Sequence, residues 1–76
     1  MLPTYHHPHD EKWLNQKLSA CRNNVERAKI CKAYSDCYKA AYDNEPVEQK
    51  KDGKARFAAN CRLRIYIAKK YRVFDR

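Results

Sequence analysis

The chain has 76 residues, one glycine, three prolines and four cysteines, and seventeen lysines and arginines against nine acidic residues give it a formal net charge of +8. A chain this short supports one small domain with a limited core, and four cysteines in it point to an oxidising compartment or a metal rather than to a reduced cytosol. Scarce glycine excludes a loop-rich scaffold and favours a few long helices, while the charge admits nucleic acid, anionic lipid or an acidic protein surface without choosing among them.

Residues 1–9 read as an extended arm, because Pro3 and Pro8 hinder helix and the histidines add no periodicity. The arm lacks the basic and apolar regions of a signal peptide. It is expected to thread over a neighbouring protein, with Tyr5 as an anchor, and to order only on assembly. His6-His7-Pro8-His9 has the look of a metal-binding tract, but a solvated arm lying on a partner is the reading taken. Asp10 is a plausible N-cap for a helix over 10–22, in which Trp13, Leu14, Leu18 and Cys21 recur at helical spacing.

Asn23-Asn24 is a soft break, since asparagine caps helices better than it fills them. A second helix is expected over 25–43. One stripe on it holds Ile30, Tyr34, Cys37 and Ala41, and a neighbouring stripe holds Ala28, Cys31, Ser35 and Tyr38. Asp43-Asn44-Glu45-Pro46 ends it. Residues 46–53 are polar and form a loop or a weak first turn. A third helix follows over 54–74, with a stripe of Phe57, Cys61, Ile65 and Ala68 flanked by Tyr66, Ile67, Tyr71 and Phe74. Its apolar run, Leu63 to Tyr71, is broken by Arg64, Lys69 and Lys70 and is too short to cross a membrane. The expected fold is all-α: a single domain over 10–76, built as a disulfide-stapled helical hairpin with a short additional N-terminal helix, preceded by the extended arm.

If the second and third helices pair as an antiparallel hairpin turning near residue 49, Cys37 falls opposite Cys61 and Ala41 opposite Phe57. Cys37–Cys61 is then the best single disulfide. Cys21 and Cys31 form a C-x9-C unit; in one continuous helix they would lie about 15 Å apart along the axis. They can bond only if the chain folds back at Asn23-Asn24. A Cys31–Cys37 bond is disfavoured, because the two lie six apart on different faces of one helix. The bland alternative is four thiols packed as small hydrophobes. Zinc is disfavoured by the lack of close ligand pairs such as C-x2-C, and redox activity by the lack of C-x-x-C.

Six tyrosines with Trp13, Phe57 and Phe74 exceed what a small core buries. Tyr5, Trp13, Tyr38, Tyr42, Tyr66, Tyr71 and Phe74 are the candidate partner-binding residues, since aromatic side chains combine apolar area with a polar tip. Arg62, Arg64, Lys69, Lys70, Arg72 and Arg76 crowd the third helix and its end. That is either a solvated face or an RNA-binding one, and no RNP1 or GXXG fingerprint accompanies it. No phosphate loop, Ser/His arrangement or paired acid suggests catalysis; no enzyme activity, cofactor, metal or small-molecule substrate is expected.

The C-x9-C unit resembles the coiled-coil–helix–coiled-coil–helix proteins of the mitochondrial intermembrane space. It departs from the twin form, which would have a cysteine where Lys51 stands, and Cys37 is extra. The run Lys17-Leu18-Ser19-Ala20-Cys21, then Cys31-Lys32-Ala33-Tyr34-Ser35-Asp36-Cys37-Tyr38, then Ala55-Arg56 and Cys61-Arg62-Leu63, also resembles the C-terminal helical part of the PDSW-type accessory subunit of respiratory complex I. This second resemblance covers about residues 17–64 and rests on short, common residues. Members of that family are longer at the N-terminus and space the first pair differently. The resemblance implies that Cys21 and Cys31 are a pair spanning a helix–turn–helix and that Cys61 is a later cysteine of a basic helix. It implies an accessory subunit without a redox centre, peripheral to the inner membrane on its intermembrane-space side, whose partners are other subunits of the complex. The rival expectation is a small basic mitochondrial ribosomal or other RNA-binding protein. A secreted peptide is disfavoured by the scarcity of glycine.

Overall fold

A computed structural model describes residues 2–71, the side chains of Lys70 and Tyr71 excepted. Three helices carry the fold: α1 (Glu11–Leu18), α2 (Asn24–Asn44) and α3 (Lys51–Tyr71). Single 3-10 turns over Pro8–Asp10 and Glu48–Lys50 lead into α1 and α3. No strand occurs among the described residues. The expected helix over 10–22 stops four residues early. After Leu18 the backbone tightens, with the Ala20 N–H donating to Lys17 O at 3.2 Å and the Cys21 N–H to Leu18 O at 3.0 Å, the usual way a last turn closes. Asn23 then adopts an extended backbone, and its side chain accepts from the Glu26 N–H at 2.8 Å. That cap starts α2 and turns the chain back on α1 at the expected break.

Asp10 is not the cap expected of it. Its side chain makes no capping bond; it turns inward and is only 8% exposed. The third helix begins three residues earlier than expected, because the 3-10 turn at Glu48–Lys50 feeds it directly. The Lys51 ammonium ties this corner by donating to the carbonyls of Tyr42 (3.1 Å) and Glu45 (2.7 Å), acceptors left over where α2 ends.

α2 and α3 form the antiparallel hairpin, and α1 lies against it. The core is Leu14 and Leu18 from α1, Ile30, Cys31, Tyr34 and Tyr38 from α2, and Ala55, Ala59, Leu63 and Ile67 from α3. Leu14 and Leu18 are the largest fully buried side chains, and each contributes about 1.5–3 kcal/mol by leaving water. The face of α3 turned to α2 is therefore not the expected one. Phe57 is 72% and Ile65 59% exposed, Ala68 is exposed, and Cys61 is half-buried.

The reason lies in α2. Its buried row is made of large rings: Tyr34 stacks on Tyr38 at 6.3 Å and Tyr38 on Tyr42 at 6.5 Å between centroids. Rings of that size need small residues opposite, and Ala55 and Ala59 supply them; Phe57 and Ile65 there would overpack the seam. Polar groups act in the same sense. The Tyr34 hydroxyl donates to Asn60, and the Tyr38 hydroxyl donates to Asp52 at 3.3 Å. Rotating Phe57 inward would strip these buried hydroxyls of partners.

The same rotation removes the register on which the Cys37–Cys61 staple was expected, and the structure gives that staple no support. Cys61 sits in the outward stripe of Phe57 and Ile65, and Asn60 beside it is level with the hydroxyl of Tyr34, one turn before Cys37 on α2. All four cysteines are free thiols in this structure, Cys31 buried and Cys21, Cys37 and Cys61 half-buried.

The arm also differs from expectation. Leu2 packs against the core, Pro3 is buried, and the Tyr5 N–H donates to the Ser35 hydroxyl at 3.2 Å. Residues 2–5 lie along the chain's own α2, where Ser35 is a buried acceptor within reach and Leu2 gains cover.

Candidate interaction surfaces

The most constrained polar cluster joins α2, α3 and the 3-10 turn that leads into α1. Arg56 on α3 donates to Asp10 through Nε at 2.9 Å and through an Nη at 2.8 Å, and Asn60 one turn on donates to the same carboxylate at 3.2 Å. Asn60 in turn accepts from the Tyr34 hydroxyl of α2. The Arg56 fork beside Asp10 holds its carboxyl below the usual carboxylate range, against the opposing effect of burial. Donating its hydrogen bonds to Asp10 likewise raises Arg56. Desolvation, with Asp52 beside it, pushes the Tyr38 phenol up to about 12, and desolvation also raises Tyr34. This cluster is a structural lock whose donors and acceptors face each other.

The expected aromatic docking residues divide. Tyr38 is 7% exposed and is core, because its hydroxyl finds Asp52 while its ring stacks between Tyr34 and Tyr42. Tyr42 is half-buried under the Lys51 ammonium, 5.2 Å from the ring centroid. Trp13 is half-buried, with Lys17 at 6.0 Å and Arg64 at 5.5 Å from its ring; these cations tie α1 to itself and to α3. Tyr5 (46% exposed, beneath Lys39 at 5.7 Å) and Tyr66 (39%) do face solvent. The side chain of Tyr71 and all of Phe74 lie outside the described residues. The tyrosine pattern does not mark Phe57 and Ile65, which are the most exposed large apolar side chains among the described residues of α3. Their helical spacing was visible, but it fitted a buried stripe equally well.

The histidine tract is occupied within the arm. One ring nitrogen of His6 is bonded to Pro3 O at 2.7 Å and the other to Glu11 at 3.0 Å, and His7 accepts from the His9 N–H at 3.1 Å. Among the described residues no group of three histidine, cysteine or acidic side chains could hold a metal ion. Burial pushes the Cys31 thiol up, so the neutral form dominates and reactivity is low. After the turn at Asn23, Cys21 packs against the core that contains Cys31.

No described helix is long and apolar enough to cross a membrane. The cleft between α2 and α3, lined by Ile30, Ala33, Tyr34, Arg62, Leu63 and Tyr66, has about 30 Å³ of room, roughly the share of one water. An open groove between the arm and α2 is larger, about 340 Å³, with Cys31, Ser35 and Asp36 in its wall, but it pairs no nucleophile with a base. What the arrangement offers is surface: an arm-covered side, a basic third helix and an outward apolar stripe. No family model, no curated protein and no solved structure matches the chain.

Proposed function

We propose that the chain is a structural accessory subunit of a mitochondrial inner-membrane respiratory complex, bracing neighbouring subunits from the intermembrane-space side. Complex I is the assembly to which the resemblance of residues 17–64 points. The observation that carries the reading is the helix–turn–helix over α1 and α2, with Cys21 just beyond one helix and Cys31 in the core of the next. A cysteine pair spanning a helix–turn–helix is what the resemblance to the PDSW-type subunit implies, although that family spaces the pair differently. A rigid body with exposed apolar and basic faces suits a brace, and peripheral attachment is compatible with helices that do not cross a bilayer.

In an oxidising compartment Cys21 and Cys31 would join across the turn, fixing α1 to α2 and adding roughly 2–4 kcal/mol. A non-reducing peptide map of the protein from mitochondria should show that linkage; four alkylatable thiols would remove it. The function itself is tested by native electrophoresis of mild-detergent extracts of mitochondrial membranes. The chain should migrate with a respiratory complex. Migration with the mitochondrial ribosome, together with RNA binding of steep salt dependence, would replace the proposal with the RNA-binding one.

A further inference from the structure

We infer that the outward face of α3 is a docking surface for an acidic amphipathic helix of a partner protein; this rests on the reading of the chain as an assembly subunit and specifies which surface does the assembling. Phe57, Cys61, Ile65 and Ala68 follow one another at three- and four-residue steps, so they form a stripe about 16 Å long at the helical rise. Phe57 and Ile65 are 72% and 59% exposed, although both are large and apolar. Between them stands Cys61, small and half-buried. Two knobs separated by small residues are a seat for the side chains of another helix packing at close range.

Charge chooses the occupant. Lys54, Arg62 and Lys69 are exposed beside the stripe, while Arg64 on the opposite margin lies over the Trp13 ring. The single acid in α3 is Asp52, in its first turn, and it accepts from Tyr38. A second copy of this chain would set basic margins against basic margins, on a protein of net charge +8, and is disfavoured. A bilayer would gain little from one phenylalanine and one isoleucine, since interfacial helices bury a broad apolar face. A helix with an apolar seam and Glu or Asp on the flank that meets Lys54, Arg62 and Lys69 satisfies the stripe and its charge together.

The test uses the full chain and synthetic helical peptides with a Leu/Ala seam, flanked in one by Glu and in the other by Lys. The Glu peptide should bind and the Lys peptide should not. Phe57→Ser with Ile65→Ser should weaken binding at least about tenfold with unchanged helicity, and added salt should weaken it further. Phe57→Leu with Ile65→Val should retain it. Equal binding by the Ser variant would overturn the proposal. So would binding to phosphatidylglycerol vesicles, or self-association in sedimentation, that the Ser variant abolishes while no peptide binds. In mitochondria, loss of the wild-type chain from every respiratory complex would sink the subunit reading, whereas undiminished incorporation of the Ser variant would sink only the α3 face.

Discussion

Replacing Asp10 with Asn removes the charge from the lock while keeping its shape. Asp10 is 8% exposed, and its carboxylate takes two bonds from Arg56 and one from Asn60. Removing one partner of a fully buried pair costs about 3–5 kcal/mol. The Arg56 side chain is 37% exposed, so water covers part of the loss, and a net cost of about 1.5–3 kcal/mol is expected from the charged hydrogen bonds. At about 4–8 °C per kcal/mol for a domain of this size, Tm should fall by roughly 6–24 °C. Thermal unfolding followed by circular dichroism measures this. A double-mutant cycle with Arg56→Met isolates the pair and should return a coupling above about 1 kcal/mol. The pH dependence gives a second handle. The folded carboxyl is held below its unfolded value, so its stabilisation is complete above about pH 4 and is lost as pH falls through the folded pKa. Asp10→Asn should flatten that acid limb. A cost under about 0.5 kcal/mol with the acid limb intact would refute the reasoning and place Asp10 in solvent.

The orientation of α3 is tested by contrast: Leu63→Ser should cost about 2–5 kcal/mol by emptying the core, whereas Phe57→Ser should stay within about 0.5 kcal/mol of wild type in denaturant unfolding. Gly53→Ala should stabilise the protein by about 0.5–1 kcal/mol, because Gly53 lies in the first turn of α3 and an added Cβ meets nothing within 4 Å. Tyr38→Phe should soften alkaline unfolding: the folded phenol is raised to about 12, so its contribution is complete below about pH 10 and is lost as pH rises toward that value. Stability measured across that range in both proteins checks it.

The helices were legible because their signals are local. Asn23 with Glu26 three residues on marks an N-terminus, and Pro46 after Asn44 marks an end. The face of α3 was not. Two stripes at four-residue steps compete there, one led by Phe57 and one by Ala55, and hydrophobicity alone favours the larger side chains. What decides is the size of Tyr34 and Tyr38 on the opposing helix and the need of their hydroxyls for Asn60 and Asp52. Those terms exist only once the helices meet. Asp10 was misread for the same reason. An aspartate before a helix is a common cap, and nothing local links it to Arg56, 46 residues away. The Cys37–Cys61 pairing rested on a face of α3 that the structure does not show turned to α2, and the Cys21–Cys31 pairing rested on the break at Asn23, which is present; neither pair is bonded in the structure.

We propose that this chain is a brace within a respiratory complex, held through its basic third helix. Chemical cross-linking in intact mitochondria, read by peptide mass spectrometry, tests it most directly. Lys54 and Lys69 should be recovered joined to acidic or lysine-bearing helices of inner-membrane respiratory subunits, through carboxyl- or amine-directed reagents. Recovery of those lysines joined to ribosomal proteins, or only to residues of their own chain, would contradict the account.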